Sequence, residues 1–192
     1  MDAPWPQWLI NSFAIANQTE FAADESAYYG PYNRLLFYLF GIEGPFDINF
    51  DLPKNSYDSG AVDTIALFTV ELNNHPVLFI EIKAPASFVL DSRRRQADNQ
   101  MRDHFLDLRH NLVTPRLPGI SVFGTRLAFY EYVAATNKLT PCAILPDPES
   151  INDLAPAERW SYDLLEANGT AQVRQVVEDV KAMCQAAQAM NA

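Results

Sequence analysis

A mixed α/β (α+β) domain, with a central mixed sheet of about five strands flanked by helices, is the fold class that three observations along this 192-residue chain predict. Two long segments, from about Asp24 to Phe40 and from Asp91 to His110, carry apolar residues at helical spacing. Three short stretches between them, and two after the second, read as strands. A last segment, Ala171–Ala189, is again amphipathic. The order helix, three strands, helix, two strands, helix interleaves the two element types, which places helices against a sheet.

The elements follow in turn. Ile10–Ala16 reads as a short leading helix. The block Asp24–Phe40 ends at Gly41, where a helix terminus prefers glycine, and Gly30-Pro31 is expected to kink or divide it. Phe46–Leu52 alternates Phe, Ile, Phe and Leu with Asp and Asn and reads as a strand. Pro53–Gly60 is a turn cluster. Two apolar strands follow, about Val62–Glu71 and Val77–Ala84, joined by the polar turn Asn73-Asn74-His75, and Pro85 closes the second. In the next helix, Asp91 or Ser92 is the expected cap, and Ala97, Met101, Phe105 and Leu108 form the apolar stripe. Ile120–Phe123 and Leu127–Val133 flank the hairpin signal Gly124-Thr125-Arg126. Leu145–Pro156 holds three prolines and three acids and reads as a surface connection, while Trp160–Leu165 is a short element of open type. In the terminal helix, Val173, Val176, Val177, Val180 and Met183 are expected to face inward.

Composition bounds the rest. Hydrophobic residues make up 48% and charged residues 20%, so a packed core is expected, and residues 1–192 read as a single domain with its core over about 20–135 and the helix 171–189 packed on it. No apolar run approaches the roughly 20 residues of a membrane helix, and the first residues lack a basic leader, so no membrane partner and an intracellular location, cytoplasm or nucleus, are expected. Cys142 and Cys184 are far apart and imply neither a disulfide framework nor a zinc site. The net charge of −10 argues against indiscriminate adhesion to nucleic acid. The charge is uneven: residues 93–126 hold seven Arg against three acids, and residues 1–92 hold twelve acids against three bases. The basic segment reads either as a solvated helix face with ion pairs or as a phosphate-contacting face.

The chemistry gathers around the strand pair. Strand side chains alternate, so Glu81 and Lys83 share one face and Ile82 takes the other. With Asp63 at the entry of the preceding strand, two carboxylates and one ammonium can converge at one end of a sheet. Asp63, Glu81 and the carbonyl of Ile82 suit a hard divalent cation, Mg²⁺ or Mn²⁺. Lys83 beside it can orient or deprotonate a water against a phosphodiester. The plainer readings are a turn cap for Asp63 and a solvent-facing ion pair for Glu81 and Lys83. Against them stands the continuous apolar run Val77-Leu78-Phe79-Ile80, typical of a strand covered on both faces. Gln96 and Gln100 are four apart on the following helix, either as exposed helix formers or as groups reaching the acidic cluster. His75, His104 and His110 are not at metal-ligand spacing, and His75 reads as plain surface.

These residues resemble the PD-(D/E)XK nuclease-like superfamily. Asp63 corresponds to its first acid, Glu81-Ile82-Lys83 to its (D/E)-x-K, and Gln96 to the glutamine of its following helix. Glu25, with Glu20 as second choice, corresponds to a glutamate in its first core helix. Val62 stands where a Pro often precedes the signature Asp. The resemblance covers about residues 20–135. The texture of Tyr28-Tyr29-Gly30-Pro31-Tyr32-Asn33 and Gly124-Thr125-Arg126-Leu127-Ala128-Phe129-Tyr130 is similar to small fungal members. The resemblance implies a restriction-endonuclease-like core and Mg²⁺- or Mn²⁺-dependent hydrolysis of DNA or RNA. Asp63, Glu81, Lys83, Glu25 and Gln96 would form the catalytic set, and Arg93, Arg94, Arg95, Arg102 and Gln100 would contact nucleic acid. The alternative is a catalytically silent fold serving as a binding module for protein or nucleic acid. A homodimer through the terminal helix is a further partner expectation.

Overall fold

The computed structural model describes residues 4–51 and 66–191. The expected turn cluster 53–60 and the start of the second strand, including Asp63, lie outside these residues. The described chain is a mixed α/β fold with a seven-stranded sheet and four helices.

The helix α1 (Gln7–Ala16) starts three residues earlier than its sequence pattern suggests and buries Leu9, Phe13 and Ala16. The block that follows is divided, but not at Gly30-Pro31. A 3₁₀ turn over Glu25–Tyr28 gives way to α2 (Tyr29–Phe40), which places Pro31 in the first helical turn. The missing N–H of a proline costs nothing there, because the first four N–H groups of a helix have no intrahelical partner. Gly41 ends α2 at φ +85°.

β1 (Phe46–Asp51), β2 (Ala66–Leu72) and β3 (His75–Lys83) form an antiparallel meander. The β2–β3 turn is two residues long, Asn73 and Asn74, both at positive φ (54° and 64°). That geometry matches a right-twisted hairpin, and asparagine tolerates it. His75 therefore belongs to β3, where Nδ1 meets the carbonyl of Asn111 at 2.9 Å.

After β3 the chain crosses through α3 (Asp91–Leu108) to β4 (Arg116–Phe123), which pairs with β3 in parallel. α3 lacks the expected side-chain cap: Leu90 holds the cap position, and the Asp91 carboxylate instead pairs with Arg94 at 2.6 Å. β5 (Arg126–Val133) returns antiparallel to β4 after Gly124 and Thr125. Two further short strands share the outer edge of β5: β6 (Lys138–Thr140) and β7 (Tyr162–Asp163). They raise the strand number above the five expected, since segments of two or three residues carry no periodicity to read. α4 (Ala167–Asn191) closes the described chain. No described helix is long and apolar enough to cross a membrane.

The sheet separates two cores. On one face Leu9, Phe13, Tyr32, Leu36, Val173 and Val177 from α1, α2 and α4 pack on Phe68, Ile80, Ile82 and Val122. On the other face Ala97, Met101 and Phe105 of α3 pack on Phe79, Phe123 and Tyr130, with Trp160 beside them. Leu108, the last of the expected stripe, is half-buried at the margin of this second core. β3 is thus central and covered on both sides. Its alternation sends Ile80 and Ile82 to the first core and Phe79, Glu81 and Lys83 toward α3.

Candidate functional site

Glu81 sits in the middle of the sheet. Its register partners are Leu67 on β2 and Ser121 on β4, and none of its surface is exposed. Two groups approach the carboxylate from different sides. Lys83 Nζ lies 3.3 Å from Oε1, and its side chain is 12% exposed. His104 Nε2, reaching down from α3, lies 3.6 Å from Oε2. Beyond the Lys83 ammonium, the carboxylate has no hydrogen-bond partner among the described residues. An ionised carboxylate in that setting is costly, and burial accordingly pushes Glu81 up to about 7. Lys83 opposes the rise, while the charges of Glu25 and Asp103 add to it. Burial also pulls His104 down from its ordinary value, against the upward pull of Asp107 and Asp103.

A cavity of about 420 Å³ opens where β3 and β4 end, lined by Asp24, Glu25, Tyr29, Lys83, Ser87, Arg93 and Gln96 among others. Ligands of open α/β sheets gather at such strand ends. Glu25 is held in the 3₁₀ turn before α2 and accepts a hydrogen bond from the Tyr29 hydroxyl at 2.7 Å. This hydrogen bond and burial raise the Tyr29 hydroxyl above its usual range, with burial the larger cause. The second-choice acid, Glu20, is exposed in the preceding turn. From the opposite wall, Arg93 Nη1 donates to Gln96 Oε1 at 2.9 Å.

The structure thus brings together Glu25, Glu81, Lys83, Arg93 and Gln96 around one cavity and the carboxylate beneath it. Gln100 is half-buried one turn beyond Gln96, with Oε1 buried and lacking a partner among the described residues. Ile82 turns its side chain to the opposite core and pairs in register with Ala66 and Val122. Asp63 lies outside the described residues, and among those residues no three His, Cys, Asp or Glu side chains surround a common point.

The expected arginine face divides. Arg94 is buried: it donates to the carbonyls of Ala155 and Phe88, each at 3.0 Å, and pairs with Asp91 and Asp153. Arg102 spans Asp98 at 2.9 Å and the carbonyl of Pro141 at 3.1 Å. Both are spent on internal partners. Arg95 is exposed, and Arg93 lines the cavity. Further along the basic segment, Arg116 pairs with Glu131, and Arg126 lies over the Phe88 ring.

His104 is the site residue that sequence reasoning missed. Comparing the histidines with one another concealed it. The useful spacing is to the glutamines, because Gln96, Gln100 and His104 recur every four residues and share a helix face. This polar row precedes the apolar row Ala97, Met101 and Phe105 by one residue, so it flanks the core contact and is half-buried along its length. Comparison with family models, with curated proteins and with solved structures gives no match to this chain.

Proposed function

We propose that this chain is a metal-dependent phosphodiesterase acting on nucleic acid, built on the restriction-endonuclease-like core of the PD-(D/E)XK superfamily. The single observation that carries the reading is the Glu81 carboxylate: fully buried, paired at Oε1 with a lysine 3.3 Å away that lines a cavity, and left at Oε2 without a hydrogen-bond partner among the described residues. A purely structural ion pair in that position would be expected to satisfy its remaining lone pairs. A carboxylate poised to take a cation leaves them open. The order α2, β1–β3, α3, parallel β4 supports the reading, because it is the succession that the sequence resemblance implies.

Glu81 and Asp63 are the residues assigned to hold Mg²⁺ or Mn²⁺. A bound divalent ion supplies charge neutralisation at the phosphate and lowers the cost of deprotonating water. The remaining roles belong to the chain itself. Lys83, held at the cavity wall by its pairing with Glu81, donates to the attacking water or to a phosphate oxygen. Gln96, oriented by Arg93, is placed to hold a second phosphate oxygen or a water. Glu25, anchored by Tyr29, fixes the far wall. Arg93, which lines the cavity, and Arg95, which is exposed, are assigned to meet the backbone of the substrate.

A second reading, a catalytically silent binding module, is favoured by the internal use of Arg94 and Arg102. Their withdrawal leaves fewer cations for phosphate on a chain of net charge −10. One experiment separates the two. Labelled single- and double-stranded DNA and RNA are incubated with the protein in Mg²⁺, Mn²⁺ or EDTA. Cleavage of at least one substrate that EDTA abolishes is the expected result. Metal binding by the folded protein without cleavage of any substrate would leave the binding module.

A further inference from the structure

We propose that His104, through Nε2, is a ligand of the divalent cation at Glu81, so that the site is a mixed nitrogen–oxygen centre selecting a first-row transition ion over Mg²⁺. The inference rests on the cation site proposed above, but not on its nuclease chemistry or substrate.

The gap between Glu81 Oε2 and His104 Nε2 is the starting observation. At 3.6 Å it is too long for a hydrogen bond, and neither atom has a hydrogen-bond partner among the described residues. Two buried polar atoms left open toward each other lack a shared partner. Two ligands bound at about 2.0–2.2 Å to one tetrahedral ion stand roughly 3.3–3.6 Å apart. Adjacent ligands of octahedral Mg²⁺, at about 2.0–2.1 Å, stand only about 2.9 Å apart. The observed spacing lies within about 0.1 Å of the first geometry and about 0.7 Å beyond the second.

The surroundings favour the same occupant. Lys83 engages Oε1, which leaves Oε2 turned toward the imidazole. The imidazole is oriented by an edge-to-face contact with Phe79, with ring centroids 5.9 Å apart at 72°. One turn earlier on the same face, Gln100 has a buried Oε1 without a partner among the described residues. The charges of Glu25 and Asp103 bear on Glu81 and those of Asp107 and Asp103 on His104, with Lys83 opposing them. Imidazole nitrogen suits Zn²⁺, whereas Mg²⁺ prefers an all-oxygen shell.

The test uses the full, tag-free chain. Pulsed electron paramagnetic resonance of the Mn²⁺-loaded wild type is expected to show hyperfine coupling to a histidine nitrogen, and Glu81→Gln and His104→Gln are expected to lose it. In calorimetric titrations His104→Gln is expected to weaken Zn²⁺ by about tenfold or more while leaving Mg²⁺ within about threefold. Absence of nitrogen coupling in the wild type overturns the proposal, as does Zn²⁺ binding unchanged in His104→Gln. So does a histidine that merely holds Glu81 by a hydrogen bond, which would weaken Zn²⁺ and Mg²⁺ equally. The wild-type spectrum needs no variant, so a misfolded substitution leaves the proposal testable. Nitrogen coupling in a protein that cleaves nothing would keep the metal centre and remove the nuclease reading. Mg²⁺-dependent cleavage without such coupling would do the reverse.

Discussion

At the scale of single residues, the buried carboxylate of Glu81 sets the energetics of the site. Its ordinary value of 4.5 is raised to about 7 by burial, so between these values the folded protein binds more protons than the unfolded chain. Its contribution to stability is therefore fully present below about 4.5 and is lost as pH rises through about 7, a swing on the order of 3 kcal/mol for the metal-free protein. Urea melts in EDTA at pH 5 and pH 8 check this. The stability of Glu81→Gln relative to wild type is expected to improve by about 1–3 kcal/mol between the two pH values. A pH-independent difference would contradict the assignment. Added Mn²⁺ at pH 8 is expected to raise the melting temperature of the wild type and not that of Glu81→Gln, because only the wild type gains a partner for its ionised carboxylate.

At the scale of elements, the end of β3 is fixed by the turn after β4. Gly124 donates its N–H to the carbonyl of Lys83 at 3.1 Å, and its own carbonyl accepts from the Tyr32 hydroxyl at 2.8 Å. It does so at φ +64°, with space so tight that a Cβ would meet Pro85 Cβ at 2.9 Å and Tyr28 Oη at 3.1 Å. Gly124→Ala is expected to cost about 1–3 kcal/mol of stability through strain and overpacking. It is also expected to slow any cleavage roughly tenfold by displacing Lys83, since small misplacements of reacting groups are expensive. Thermal melts and cleavage rates measure both effects; a fully stable, fully active variant would show that this turn does not position the lysine. The elements also show what a sequence makes legible. The hairpins, α2, α3 and the pairing of Glu81 with Lys83 follow from periodicity and alternation, which are local. The 3₁₀ turn carrying Glu25 and the short strands on β5 depend on tertiary packing that no local pattern encodes; the four-residue recurrence of Gln96, Gln100 and His104 puts His104 on the polar helix face, but its approach to Glu81 again depends on packing.

At the scale of the whole molecule, net charge is a poor guide to surface charge. Seven arginines between residues 93 and 126 suggest a basic face, yet Arg94 and Arg102 are held by internal partners, Arg116 pairs with Glu131 at the surface, and the exposed Arg126 lies over the Phe88 ring. Arg94 in particular ties α3 to the connection before Ala157–Trp160, through Asp153 and the Ala155 carbonyl. Arg94→Ala is expected to cost about 2–4 kcal/mol, because it strands buried acceptors, and to leave nucleic-acid affinity in the folded protein unchanged. Arg95→Ala is expected to do the opposite: unchanged stability, weaker binding, and a salt slope shallower by about one. Chemical denaturation paired with binding isotherms at several salt concentrations reads both substitutions. Exchanged outcomes would mean that the phosphate-contacting surface has been misassigned.

The central claim is that Lys83 and Glu81 form a hydrolytic site. It is tested most directly by the single-turnover cleavage rate of wild type against Lys83→Ala in Mn²⁺, with both proteins shown to be folded and metal-bound. The expected result is a fall of at least about 100-fold with metal affinity retained. Equal rates in the two proteins would contradict it.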